Sequence, residues 1–174
     1  MTGYVTLIRA LGFPNTIAMR DLARIHERLG LEDVRTYIAS GNVVFRAGRL
    51  DREKTAAKIS AGIKRARGFA PAVLVLSEAE LAAAIEANPY PEAEAAPKSL
   101  HLVFLAQKPK TVDFAPLERL LKDNERYTLE GKVFYFLAPD GAGKSRAFPR
   151  IEKTVGLGTA RNWRTVRTLQ AMLA

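Results

Sequence analysis

Val34-Arg35-Thr36-Tyr37-Ile38-Ala39-Ser40-Gly41-Asn42-Val43-Val44-Phe45-Arg46 is the stretch that decides the fold. Val34–Ala39 alternates apolar and polar residues as a half-buried strand does. Ser40-Gly41-Asn42 is turn chemistry, because Gly and Asn tolerate positive φ and short polar side chains bond to nearby backbone. Val43–Arg46 then returns as a second strand, and the whole reads as a β-hairpin. Working towards the N-terminus, Gly30 stops a helix in which Met19, Leu22, Ile25, His26 and Leu29 recur at helical spacing. A loop with Gly12, Pro14 and Asn15 joins that helix to an apolar strand, Tyr4–Arg9. Working the other way, Asp51 is positioned to cap a helix running to Arg67, with Ala56, Ile59, Ile63 and Ala66 on one face. Ala72–Leu76 is a further buried strand. The order β-α-β-β-α-β is the split, ferredoxin-like unit.

The rest of the chain repeats the pattern. Ser77 and Glu80 form a capping-box signature for a short helix to Ala87. Asn88–Lys98, rich in Pro, Ala and Glu, is expected to be a linker. Leu100–Ala106 reads as a strand, and Thr111 or Asp113 opens a helix with Phe114, Leu117, Leu120 and Leu121 inward. Arg126–Leu129 and Lys132–Leu137 pair across a Glu130-Gly131 turn. Pro139–Ser145 is expected as a loop and Arg146–Val155 as a helix, and Asn162 caps a last helix with Trp163, Val166, Leu169, Met172 and Leu173 inward. The predicted class is α+β: two tandem ferredoxin-like units with mostly antiparallel sheets, residues 1–90 and 97–174, the second carrying an extra C-terminal helix.

Composition narrows the chemistry. The 174 residues include no cysteine, which excludes disulfides, thiolate metal sites and a Cys nucleophile. Two histidines are too few for a His-rich metal site, and no cofactor or metal is expected. No apolar run approaches a bilayer span, and Met1–Ala10 lacks the features of a signal peptide. A cytoplasmic protein without a membrane partner is expected. The net charge of +9 is uneven along the chain: residues 1–96 hold 13 Lys/Arg and 11 Asp/Glu, residues 97–174 hold 14 and 7. That excess points to an anionic partner, either nucleic acid or a phosphorylated small molecule.

Strand alternation brings the end of the first strand and the hairpin turn to one rim, so Arg9 lies beside Ser40, Gly41 and Asn42. By the same logic Gln107 and Lys108 lie near Glu130-Gly131. An arginine ending an apolar strand either meets a ligand or ties down the turn through a carbonyl or carboxylate, and the second reading is preferred. Ala138-Pro139-Asp140-Gly141-Ala142-Gly143-Lys144-Ser145 is a relaxed P-loop pattern, in which Lys144 would contact phosphates and Ser145 a Mg²⁺ ion. The antiparallel hairpin before it and Pro149 after it argue against nucleotide hydrolysis, leaving a basic turn suited to a simple anion. At Arg161-Asn162-Trp163, Trp163 would stack on a base with Arg161 and Arg164 on phosphates. The competing reading makes Asn162 a cap, buries Trp163 and leaves the arginines solvated; Trp163 shares a face with Val166, Leu169 and Leu173, which favours it. In Lys132–Phe136, Tyr135 is exposed alone if Phe134 and Phe136 face the core. His26 and His101 read as structural histidines, and no acid–base pair stands out.

The candidate ligand-binding residues are therefore Arg9, Ser40, Gly41, Asn42, Lys144, Ser145, Arg161, Asn162 and Arg164, with no metal ligand and no catalytic residue assigned. The function they suggest is a binding protein for an anionic ligand. The alternatives are an enzyme acting on a small phosphorylated or carboxylated substrate in a cleft between the halves, and a protein–protein interaction module using a sheet edge.

Four segments carry a resemblance: Leu7–Ala10, Val34–Phe45, Gly143-Lys144-Ser145, and Thr159-Ala160-Arg161-Asn162-Trp163-Arg164-Thr165-Val166. Together they resemble a bacterial family catalogued as domain of unknown function 1697, over almost the whole chain. The resemblance implies a soluble, two-part α+β fold and no established activity, substrate or cofactor. Members often carry a loop of the type Arg-Gly-Ile-Asn-Val-Gly-Gly after the first strand. Here Arg9-Ala10-Leu11-Gly12-Phe13-Pro14-Asn15 is poorer in Gly.

Overall fold

Apolar strand β1 (Thr2–Ile8) runs through the middle of the first sheet, antiparallel to both neighbours, β3 (Asn42–Ala47) and β4 (Val73–Ser77). The computed structural model describes all residues, Met1–Ala174. β2 (Glu32–Tyr37) completes the order β2-β3-β1-β4, with α1 (Met19–Arg28) and α2 (Arg52–Arg67) as the two crossovers. Tyr4 and Ile8 of β1 and Val43 and Phe45 of β3 share a core with Leu22 of α1 and Ile59 and Ile63 of α2. Gly62 makes this helix layer tight: a Cβ there would stand 2.7 Å from Ile25 Cγ2. The other face of β1 is buried too, at Gly3, Val5 and Leu7. Against Gly3 lie Glu78, which opens α3 (Glu78–Glu86) and accepts from the Gly3 amide, and Leu173 at the end of the chain. The caps expected from sequence are present: Asp51 accepts from the Lys54 amide, and Ser77 and Glu80 exchange hydrogen bonds as a capping box does.

The second sheet has the same topology. β5 (Leu100–Leu105), β6 (Arg126–Glu130), β7 (Val133–Leu137) and β8 (Gly158–Asn162) lie in the order β6-β7-β5-β8, all pairs antiparallel. The chain is thus two ferredoxin-like units in tandem. The core of this unit joins Val103, Leu105, Phe134 and Phe136 to Leu117, Ile151 and Val155. Four local expectations change. Strand β8 stands where no strand was expected, because Gly158-Thr159-Ala160-Arg161-Asn162 lacks apolar alternation. The helix after Asp113 is one turn, α4 (Ala115–Glu118), with Pro at its start. Arg146–Val155 divides into a 3₁₀ turn, Phe148–Arg150, and the short α5 (Ile151–Val155). Asn88–Lys98 is not a free linker: it holds a 3₁₀ turn, Pro91–Glu94, whose Ala93 is fully buried, and Tyr90 bonds to Thr128. The last helix, α6 (Trp163–Leu173), has its cap where expected, with Asn162 Oδ1 accepting from the Thr165 amide at 2.9 Å.

The two compact units are Met1–Ala83 with Thr168–Ala174, and Ala84–Arg167. This division redistributes the charge. The first unit carries 13 Lys/Arg and 8 Asp/Glu, the second 14 and 10. The acidic segment around Pro91 belongs with the second unit, where Glu92 pairs with Arg126 and Glu94 with Arg167. The C-terminal basic excess of seven read along the chain is thus reduced to four within the second unit, against five in the first. No helix is long and apolar enough to cross a membrane.

Candidate functional site

At the rim of the first sheet the hairpin turn is locked from within. Ile8 N donates to the Gly41 carbonyl at 2.9 Å, and a Cβ on Gly41 would stand 2.8 Å from Ile8 Cβ. Asn42 is fully buried, and its Nδ2 donates to the Tyr37 carbonyl and the Ser40 hydroxyl. Its side chain thereby stitches the turn it ends. Two backbone conformations here are unusual for their residues: Ile38 at φ +47° and Ala10 at φ +59°. Arg9 is half-buried, and its amide is bonded to the Ala72 carbonyl. Arg9, Ser40, Gly41 and Asn42 thus do come together on one rim, as strand alternation requires.

The relaxed P-loop pattern folds into something else. Ala142–Lys144 is a 3₁₀ turn, so the Lys144 and Ser145 amides are spent on the Gly141 and Ala142 carbonyls. Ser145 is buried, and its Oγ accepts from the amides of Ala147 and Phe148. No helix of useful length and no parallel strand frames the turn. It leaves Lys144, Arg146 and Arg150 exposed. On the same rim, across β5, Arg161 is buried and donates to the Thr159 hydroxyl at 2.7 Å and the Ala160 carbonyl at 2.8 Å. Burial lowers its pKa to about 10. Trp163 is buried with its Nε1 unbonded, which makes it core and no stacking platform. Arg164 is exposed. Tyr135 is buried as well, its hydroxyl donating to the Ala84 carbonyl at 2.6 Å, so the second sheet presents no bare aromatic for a base.

Both histidines are held neutral. Burial pushes His26 down to about 4, against the pull of its bond to the Leu22 carbonyl. His101, edge-on to Phe148, is likewise lowered to about 4 by burial. Neither faces a carboxylate, and no three acidic or histidine side chains converge as a metal site would require.

The feature that reading along the strands missed is the outer layer of the first unit. Helices α1 and α2 carry nine Lys/Arg and three Asp/Glu, whereas the rest of that unit carries four and five. Arg20, Arg24 and Arg28 recur every four residues on α1, and Lys54 and Lys58 do so on α2, followed by Lys64, Arg65 and Arg67. All eight are exposed. The ion pairs of these helices are Arg24 with Asp21 at 3.8 Å and Arg52 with Glu80.

A family model described as "Protein of unknown function (DUF1697)" matches residues 1–135. No curated protein matches. A solved structure, that of the conserved bacterial protein SP0830 from Streptococcus pneumoniae, has 22% sequence identity and a TM-score of 0.74, covering 99% of each chain. At that identity the likeness is one of fold.

Proposed function

This chain belongs to the DUF1697 family of proteins of unknown function, and from that premise we propose that it is a binding protein for a polyanion, with nucleic acid as the partner class. The observation that carries the reading is the helix layer of the first unit. Its nine cations face three carboxylates, and Arg20, Arg28, Lys54, Lys58, Lys64 and Arg65 stand in solvent without an ion pair. Like charges repel in the free protein, so a surface of this kind favours a partner that supplies the counter-charge. Lys144, Arg146 and Arg150 on the second unit are a smaller group of the same character. A cytoplasmic setting, where nucleic acid and polyphosphate abound, belongs to the same proposal.

The test is binding to heparin, long-chain polyphosphate and labelled oligonucleotides across a salt series. Binding to at least one that weakens steeply as salt rises from about 50 to about 200 mM is expected, because each neutralised phosphate releases a counterion. Absence of binding to all of them at low salt would refute it.

A further inference from the structure

The geometry points to the groove between α1 and α2 as a seat for the phosphate backbone of duplex DNA, bound without reading its sequence. This rests on the polyanion reading above and names its site and partner. The argument begins at the contact between Ile25 and Gly62, which fixes the flanks that the two helices turn towards each other. On a helix, the residues four before and three after a contact lie on the same flank and further out towards solvent. On α1 these are Asp21 and Arg28; on α2 they are Lys58 and Arg65. Arg24 and Lys54 stand next on the outward side. β1 and β3 are antiparallel, and each helix returns against the strand before it, so α1 and α2 run antiparallel to each other. That brings Arg28 opposite Lys58 and Asp21 opposite Arg65. Five cations and one carboxylate therefore line a groove whose floor is closed by Gly62 and Ile25. Cations four residues apart are about 6 Å apart along a helix axis.

The outward faces also say which polyanion fits. The exposed large hydrophobics are Met1, Phe13, Ile38 and Leu157, none of them on α1 or α2. A membrane-surface helix needs an apolar face to insert. Neither helix has a Phe, Tyr or Trp on which the bases of a single strand would stack. The exposed positions are Arg, Lys, Glu and Ala, without the Ser, Thr, Asn or Gln that would recognise a ribose 2′-hydroxyl or a base edge. What is left is charge arranged in two rows, which suits the DNA backbone and carries no sequence information.

The experiment compares the wild type, Arg28→Gln/Lys58→Gln/Arg65→Gln in the groove, and Lys144→Gln/Arg146→Gln/Arg150→Gln on the second unit. The probes are labelled duplex DNA of two unrelated sequences, duplex RNA, single-stranded DNA and polyphosphate, read by fluorescence anisotropy over a salt series. Circular dichroism and thermal melting check that each variant folds; all six positions are exposed. Wild type is expected to bind both DNA duplexes equally and more tightly than the single strand. The groove variant is expected to lose at least tenfold in affinity, and its log–log salt slope to fall by about three, one for each phosphate contact removed. The loop variant, which removes the smaller basic group, is expected to lose less affinity than the groove variant. Four outcomes would overturn the groove assignment while leaving the polyanion reading standing: an unaffected groove variant, loss confined to the loop variant, tighter binding to duplex RNA or single strands, or binding to polyphosphate alone. Binding to none of the probes would remove both.

Discussion

His26 donates from Nδ1 to the Leu22 carbonyl and accepts at Nε2 from the Thr6 hydroxyl, so it is fixed as one neutral tautomer in a fully buried position. His101 is half-buried, and its buried Nδ1 has no hydrogen-bond partner. Both have folded-state pKa values of about 4, below the unfolded value of 6.5. The unfolded chain therefore binds more protons between those values, and stability is complete above pH 6.5 and lost as pH falls towards 4. Each histidine contributes roughly 3 kcal/mol to that loss. Urea midpoints measured across this range should fall with pH. His101→Leu should remove about half of the fall at no cost at neutral pH, because it also deletes an unbonded polar atom. The hairpin turn offers two substitutions of opposite sign. Gly41→Ala is expected to cost about 3 kcal/mol, from its φ of +81° and a Cβ pressed against Ile8. Ile38→Asn is expected to gain about 1 kcal/mol, because an exposed, β-branched residue is relieved of a left-handed conformation that Asn tolerates. Equal stability of the two variants would contradict the turn geometry. The turn itself was legible from Ser40-Gly41-Asn42. That Asn42 is its internal brace was not, since an Asn in a turn has the same sequence signature whether it faces solvent or its own backbone.

At the scale of elements, local chemistry announced itself where a single side chain commits the backbone. Asp51, the Ser77–Glu80 box and Asn162 all cap as their positions suggest. Asn162→Ala should therefore lower stability by about 1 kcal/mol, seen as a shift in the urea midpoint, and leave polyanion binding unchanged. A loss of binding with intact stability would instead make Asn162 a ligand contact. Elements held by tertiary pairing alone were not legible. Strand β8 is mostly polar, and it exists because the backbone of β5 is there to receive it: Leu102 pairs with Arg161 and Phe104 with Thr159. The same blindness hid the basic helix layer. Sequence periodicity identifies the inward face of α1 and α2 by its apolar residues. Which outward flanks meet is decided by the Ile25–Gly62 contact, a spatial fact. Counting cations per helix instead of per half of the chain would have been the usable signal.

At the scale of the molecule, the order of elements, the two antiparallel sheets and the repeat were all readable, because hydrophobic periodicity and turn residues encode them directly. The boundary of the first unit was not. Thr168–Ala174 clusters with Met1–Ala83, far away in sequence. Two arginines hold it there: Arg35 Nη2 donates to the Met172 carbonyl and Arg46 Nη2 to the Leu173 carbonyl at 2.8 Å. The last carbonyls of a helix lack partners within it and sit at its negative end, where cations are favoured. Leu173 is buried beside Gly3 of the central strand. Cutting the chain after Arg167 would remove all of this. Arg35 and Arg46 would each lose a carbonyl acceptor and keep only Asp33, and an apolar contact on β1 would open to water. A loss of several kcal/mol is expected, by analogy with large-to-small changes at buried Leu. Amide hydrogen exchange would locate it. Protection should fall in β1–β4 and persist in β5–β8 if the first unit depends on its C-terminal segment. A uniform fall across both sheets would mean instead that the chain unfolds as one cooperative body, and equal protection everywhere that Thr168–Ala174 adds nothing to the first unit.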